Sequence, residues 1–519
     1  MQRFMPDQLS KPAPAIHIYA ARNEWEPFQV VVASGARAIT VRAIDVSDLT
    51  SARGRIAAEN VRCFREHYIE VKKPSYRSDA QPGWYPDALI PVRIPKEEAL
   101  AGKPRFVALP AEVPAGRAQA FWVEAYVPKG TAPGDYRGAV TFSLEGGAKL
   151  RADVTLTVFN FELPDRPSMR SHFPGIRSSS LQKLGVPQER WLEIQRLYEN
   201  ALCAHRLMPS FPAGLAPPVA EDGTPRFAEV EKELIARLDE LHWNSIQVPF
   251  RLSSPVRDAL GAGRAKAARY LRAWRDWLKR HGRLEDAYIY CIDEPNDPDA
   301  YERVRQAAKL IHEAAPGLKL LVTEQPTPQK PEWGNLFGAV DIWCPLWPLW
   351  NEEDCLARQK LGEEFWTYTA LCQGKQPTPW WELDFPLLNY RVPLWMSWHY
   401  NCVGLLYWST TFWSHVDDPW TEALSFRERW NQEGMLFYPG PPAGTRGPVA
   451  SMRLKMLREG MEDFEYLKLG EKVLGRERTA ELCHRVARSW WEWEKRPEVL
   501  EGARVALGEE ISRAVAQGR

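Results

Sequence analysis

DAYIYCIDEPND, residues 286–297, reads as a short apolar strand that runs into two adjacent carboxylates, Asp293 and Glu294. Pro295 has no backbone N–H to give to a ladder, so the strand stops there. The next stretch, PDAYERVRQAAKLIHEAA (298–315), places apolar residues at three-to-four spacing, the mark of a helix with one buried face. The unit is a strand, a carboxylate pair at its C-terminal end, and a helix.

The same unit recurs in both directions. Towards the N-terminus lie MRSHFPGI (169–176) with the helix PQERWLEIQRLYENALCAHRL (187–207), a second short strand at LMPSFP (207–212), and SIQVPF (245–250) with the helix AKAARYLRAWRDWLKRHG (265–282). Towards the C-terminus lie LKLLVTEQP (318–326), VDIWCPLW (340–347), the helix LARQKLG (356–362), FWTYTAL (365–371), the helix LLNYRVPLWMSWHYN (387–401) and VGLLYWST (403–410). Eight strand-then-helix units predict a (β/α)8 TIM-like barrel over residues 163–445.

Residues 1–162 follow a different pattern. FQVVVA (28–33), ITVRAIDV (39–46), AFWVEAYV (120–127), YRGAVTFSL (136–144) and ADVTLTVFNF (152–161) are strand-like runs split by Pro and Gly turns such as APGDY (132–136), which predicts a β-sandwich. The proline-containing stretch ELPDRPSMRS (162–171) sets the boundary. From 446 to 519 the chain reads as helical and packed on the barrel. There Arg453, Arg458, Glu462 and Glu465 are expected on helix surfaces and in interhelical salt bridges. The fold class is therefore multidomain, an all-β unit followed by an α/β unit and a C-terminal helical region.

With 519 residues, 67 basic against 67 acidic and no long run of one sign, the chain offers no electrostatic footprint for nucleic acid or an anionic membrane. No stretch is long and apolar enough for a membrane span, and MQRFMPDQLS at the start has no apolar signal core. Eight cysteines (Cys63, Cys203, Cys291, Cys344, Cys355, Cys372, Cys402 and Cys483) stand without CxxC spacing and read as buried free thiols. They favour a reducing compartment, cytoplasmic for the chain as it stands, with export open if a leader preceded it. Homo-oligomer formation is left open.

Barrel enzymes place catalytic groups at the C-terminal ends of their strands. That rule selects Asp293 and Glu294, because repulsion between two carboxylates and burial at a barrel mouth hold one of them protonated for general acid work. Around them, Tyr290 belongs to the same run. Strand five ends in Glu324 and Gln325, strand six in Trp343 and Trp347, strand seven in Trp366 and Tyr368, and strand eight in Tyr407, Trp408 and Trp413. Aromatic faces suit pyranose C–H surfaces, and 23 tryptophans supply many. Arg453 is a further candidate for substrate contact. There is no GxSxG, HExxH or P-loop, the ten histidines lack ligand spacing, and no metal or cofactor is implied. The expected partner is a carbohydrate.

On these residues the chain resembles the glycoside hydrolase family 123 group, the β-N-acetylgalactosaminidase-like proteins. The likeness runs through ARNEWEPFQVVV (21–32), GWYPDALIP (83–91), the FWVEAYVP and APGDYRG runs (121–138), YIYCIDEP (288–295), the WTY of strand seven and GLLYWSTTFW (404–413). YPGPPAGTRGPVASMRLKMLREGMEDFEYLKL (438–469) is the most specific segment. The resemblance implies a retaining exo-β-hexosaminidase in which Glu294 is the acid/base and Asp293 positions the substrate's acetamido group. Spacing points the same way. A retaining pair that flanks the sugar stands about 5–5.5 Å apart. Neighbouring residues approach from one side and share a pocket only if the strand bends. The nucleophile is then most simply the substrate's own acetamido oxygen. Two alternatives stay open: Glu294 working with Glu324, Glu382 or Asp384 on a galactose- or arabinose-type sugar, and a carbohydrate-binding protein without catalysis.

Overall fold

The computed structural model describes residues 2–8, 15–371, 377–426 and 429–518. The first eleven strands are β1 (Ile16–Arg22), β2 (Glu24–Ala33), β3 (Ile39–Val46), β4 (Leu49–Ser51), β5 (Gly54–Ile56), β6 (Val61–Val71), β7 (Gly83–Pro91), β8 (Ala111–Val113), β9 (Ala118–Val127), β10 (Gly134–Leu144) and β11 (Lys149–Glu162). They form two sheets. One has the order β1-β11-β10-β3-β8 with β4 and β5 attached, and the other has the order β2-β9-β6-β7. Alternation drives the pairing. Ile18, Ile44, Phe142 and Leu156 from the first sheet share one core with Phe28, Val32, Phe121 and Val123 from the second.

From β12 (Arg170–His172) the chain is mixed α/β. Helices α1 (Ser178–Lys183), α2 (Trp191–Cys203) and α3 (Glu231–Glu240) precede β13 (Ile246–Gln247). Then follow α4 (Arg264–Arg280), β14 (Ala287–Ile289), α5 (Pro298–Ala314), β15 (Lys319–Val322), β16 (Ile342–Trp343), α6 (Glu352–Gln359), β17 (Glu364–Thr369), α7 (Val392–His399) and β18 (Gly404–Tyr407). Seven strands make one parallel sheet in the order β12-β18-β17-β16-β15-β14-β13.

The expected second strand, LMPSFP, is not a strand. The segment still spans the gap between the two ends of the sheet: Phe173 N–H donates to Met208 O at 2.9 Å, and Gln247 N–H donates to Ser210 O at 3.0 Å. Pro209 and Pro212 remove two backbone donors from six residues, which leaves too few bonds for a ladder. The hydrogen-bonded path from β12 through this segment to β13 and round to β18 returns to β12.

Residue parity along these strands separates two cores. Tyr288, Tyr290, Leu321, Ile342, Trp366, Tyr368 and Leu406 cluster on the inside of the ring. Ala287, Ile289, Leu320, Val322, Trp343, Phe365, Leu405 and Tyr407 join the larger core that the helices cover. Gly404 is glycine for a steric reason, since a Cβ there would lie 2.1 Å from the Trp366 ring.

The C-terminal helices are α8 (Met452–Leu474), α9 (Arg476–Cys483) and α10 (Pro497–Ala516). The first of them corrects the expectation of surface charges. Nearly all of its first four turns are buried, between β2 and β7 on one side and α7 and α10 on the other. Its charged residues pair across the fold: Arg453 with Asp87, Arg458 with Glu124 and Glu462 with Arg206, while Glu465 accepts from Ser168. The fold thus ties β7 and β9 to the last part of the chain through buried ions, each of which requires a partner at that depth. Among the described residues no helix is long and apolar enough to cross a membrane. The cysteines among them are free thiols. Cys372 lies outside the described residues.

Candidate active site

Strand β14 ends at Ile289, and the chain then turns before Pro295 rather than at it. Glu294 has φ +40°, a left-handed conformation that a non-glycine residue adopts only when held. The Thr323 hydroxyl does the holding. It accepts the Glu294 N–H at 2.8 Å and donates to Asp293 Oδ1 at 2.8 Å. One side chain, placed by β15 on the inward parity after Leu321, therefore fixes both the backbone of one acid and the carboxyl of the other. The Tyr290 hydroxyl also donates to Asp293 Oδ1, at 2.5 Å, and the Tyr368 hydroxyl donates to Glu294 Oε1 at 2.7 Å. The bend brings both carboxyls to the same end of the ring, each on its own tyrosine. Both acids are solvent-exposed, contrary to the expectation that they are buried at the barrel mouth.

Glu294 opens onto a cavity of about 260 Å³. Asn296, Thr323, Glu324, Gln325, Gln329 and Tyr368 line it with the apolar Leu346, Pro348 and Leu349. Glu324 is only 3% exposed; its burial, together with the neighbouring Glu294 charge, pushes its carboxyl up to about 7. Among the described residues, no group of three or more His, Cys, Asp or Glu is arranged to hold a metal ion.

The sequence candidates divide by parity. Tyr290, Tyr368 and Glu324 meet the acid pair or its cavity. Trp366 is also inward but lies deeper, packed on Tyr288 at 5.0 Å between ring centroids. Trp343 and Tyr407 point the other way, into the core under the helices; Trp343 Nε1 donates to Glu363 and the Tyr407 hydroxyl accepts from Gly434 N–H. Trp413 is buried with its indole N–H on Phe437 O, and Trp347 stacks on Trp490. Trp408 is half-buried and donates to Glu433 Oε1 at 2.6 Å, with Arg177 over its ring. Arg453 does not reach the cavity: it is fully buried, in a bidentate grip on Asp87 with Gln432 beside it. Of the alternative second carboxylates, Asp384 is occupied by the Ser75 N–H and hydroxyl, and Glu382 is buried against Glu433, with that burial and the second acid pushing its carboxyl well above the ordinary range. Thr323 and Gln325 complete the site. Thr323 was open to discovery by parity alone, being two residues after the inward Leu321.

Two adjacent carboxylates past the C-terminal end of one parallel strand, beside a polar cavity, suit glycosidic-bond hydrolysis, and the chain is a glycoside hydrolase. Residues 264–470 match the family described as Glycoside hydrolase 123, catalytic domain. Among solved structures, a family 123 glycoside hydrolase from Clostridium perfringens, described for glycolipid glycan hydrolysis, superposes with a TM-score of 0.67. It is 14% identical, with 98% of this chain and 94% of that chain covered. A family 39 glycoside hydrolase from Bacteroides cellulosilyticus WH2 gives a TM-score of 0.33 at 10% identity, covering 86% and 82%. A GH5 xyloglucanase from Bacteroides ovatus, bound to a XXXG heptasaccharide, gives 0.29 at 9% identity, covering 86% and 98%. No curated protein matches the sequence.

Proposed function

We propose that this glycoside hydrolase is a retaining, exo-acting β-N-acetylhexosaminidase, β-N-acetylgalactosaminidase-like, that uses its substrate's acetamido group as the nucleophile. The proposed frame is a β-sandwich over 1–162, a catalytic (β/α)8 barrel over 163–445 and a helical region over 446–519. The observation that carries the mechanism is the shared Thr323 hydroxyl, which keeps two adjacent acids on one side of the site. Two carboxyls so placed do not flank an anomeric carbon from opposite faces. The acetamido oxygen attacks that carbon, the C1–O bond to the leaving group breaks, and Glu294 gives its proton to the departing oxygen. Tyr368 occupies Oε1, which leaves Oε2 to carry that proton. Asp293, with Oδ1 on two hydroxyls, accepts the acetamido N–H on Oδ2 and stabilises the oxazolinium ion. Water then opens that ion with Glu294 as base, and configuration is retained.

A second reading pairs Glu294 with Glu324, and it is favoured by their common cavity. A nucleophilic carboxylate must be ionised, however, and Glu324 is pushed up to about 7, which makes it a poor nucleophile at mildly acidic pH. The test is a panel of aryl β-glycosides of GalNAc, GlcNAc, galactose, glucose and arabinose. Cleavage of the N-acetyl sugars with inhibition by the matching thiazoline supports the first reading. Cleavage of a plain β-galactoside or arabinoside alone supports the second, and binding without any cleavage supports a carbohydrate-binding protein.

A further inference from the structure

The apolar wall of the cavity beside Glu294 is one short turn after β16, formed by Leu346, Pro348 and Leu349, with Leu349 N–H on Leu346 O at 2.8 Å. Two tryptophans of the same turn, Trp347 and Trp350, are instead buried in the core that the helices cover, and both meet the ring of Trp490. Trp347 is stacked on it, 5.4 Å between centroids at 13°, and Trp350 meets it at 6.0 Å and 58°. Trp490 is fully buried although it belongs to no helix. It sits in the loop between α9 and α10, which Glu494 N–H closes on Val486 O at 2.8 Å and Arg488 N–H on Glu492 O at 2.9 Å. It also lies beyond residue 470, where the match to the catalytic domain ends. The indole N–H groups of Trp347, Trp350 and Trp490 meet no acceptor among the described residues, so ring packing sets the tilt of all three. The wall is also joined to the acid. Tyr368 N–H donates to Pro345 O at 3.3 Å, Leu346 bridges to Tyr368, and the Tyr368 hydroxyl holds Glu294 Oε1.

We propose that Trp490 is a positioning residue for the active site: it buttresses the turn over 346–350 from behind and so sets the cavity wall and, through Tyr368, the carboxyl of Glu294. A close-packed core passes a change of shape on to its neighbours. With the flat ring at 490 gone, Trp347 and Trp350 settle back and carry the turn with them. The catalytic unit thus extends past the matched domain into the C-terminal region. This rests on Glu294 as the acid, and it holds whichever group is the nucleophile.

The test uses the full chain carrying Trp490→Phe, Trp490→Leu or Trp490→Gly, each with its melting temperature measured. Trp490→Phe keeps a flat ring and should keep most of kcat/KM. In Trp490→Leu, which keeps an apolar group without the flat face, kcat/KM on an aryl glycoside that the unmodified protein cleaves should fall by about 10- to 100-fold, the scale of a small displacement at the chemistry. The loss should be larger for a 4-methoxyphenyl than for a 4-nitrophenyl leaving group, because the poorer leaving group depends more on the proton from Glu294. Indole added to Trp490→Gly fills the space left by the ring and should restore part of the rate. A purely structural tryptophan would lower the melting temperature of these variants and leave the rate per folded molecule, and its dependence on the leaving group, unchanged. That result overturns the proposal, as does indole that raises the melting temperature without raising the rate. If Trp490→Gly does not fold, Trp490→Leu decides. A crystal structure of Trp490→Leu gives a readout free of turnover: the turn over 346–350 should be displaced relative to Thr323, and an unmoved turn overturns the proposal. Full activity in Glu294→Gln would instead remove the acid on which the reading rests, while a displaced turn would still establish the buttress.

Discussion

The Thr323 hydroxyl lies 2.8 Å from Asp293 Oδ1 and accepts the Glu294 N–H at the same distance, so a single oxygen just past β15 sets the geometry of both acids in the turn after β14. Thr323→Val keeps the volume and removes both bonds. We expect kcat/KM on an aryl N-acetyl-β-glycoside to fall by about 10-fold or more, the cost of unmade bonds to charged and backbone groups, with most activity kept in Thr323→Ser. Equal activity in Thr323→Val and the unmodified protein would show that the turn holds itself.

Glu294 combines a chemical role with a strained backbone. Glu294→Gln removes the transferable proton and should cost roughly 10²–10⁴-fold on poor leaving groups, and less on nitrophenyl glycosides. Glu294→Gly is inactive too, yet it relieves φ +40°, and we expect it to unfold at a higher temperature by about 1 kcal/mol of added stability. A lower melting temperature for the glycine variant than for the glutamine variant would show that the carboxylate side chain stabilises the fold.

The buried Arg453–Asp87 pair, at 2.9 Å and without solvent exposure, joins α8 to β7. Removing one partner strands the other charge, so Arg453→Ala should destabilise the protein by about 3–5 kcal/mol. Residual folded enzyme should keep its KM, because Arg453 is remote from the cavity. A variant that stays stable but loses substrate affinity would return Arg453 to the site.

Much of the fold was legible because its signals are local. The strand-then-helix rhythm and the apolar run before Asp293 need only neighbouring residues. What escaped needed partners distant in sequence. Arg453 looked like a helix-surface cation until Asp87, 366 positions away, closed on it. Trp343 and Tyr407 looked like mouth aromatics because the start of each strand, and hence the parity that turns them under the helices, is not written in a two-to-four-residue run. LMPSFP fails as a strand for a reason visible in its prolines, while its place between β12 and β13 is the one expected from its order among the units. The bend at Glu294 is held not by Pro295 but by a threonine just past the next strand, β15.

Glu66 gives a pH prediction for stability. It is fully buried in β6, with Gln29 donating to it, and burial pushes its carboxyl up to about 8. The folded state therefore holds the proton more tightly than the unfolded chain. This contribution is complete below about pH 4.5 and is lost as pH rises through about 8, for a total of roughly 5 kcal/mol. Glu66→Gln should flatten the decline in melting temperature between pH 5 and pH 9, on the linkage of proton binding to folding. An unchanged decline would place the titrating group elsewhere.

The most direct test of the mechanism is the rate on 4-nitrophenyl 2-acylamino-β-galactosides in which the N-acetyl group is fluorinated stepwise to trifluoroacetyl. If the acetamido oxygen is the nucleophile, each fluorine weakens it and kcat/KM falls steeply along the series, with the plain β-galactoside not cleaved. Rates that ignore the fluorines, or a galactoside cleaved as fast as the N-acetyl sugar, would contradict substrate assistance by the Asp293–Glu294 pair.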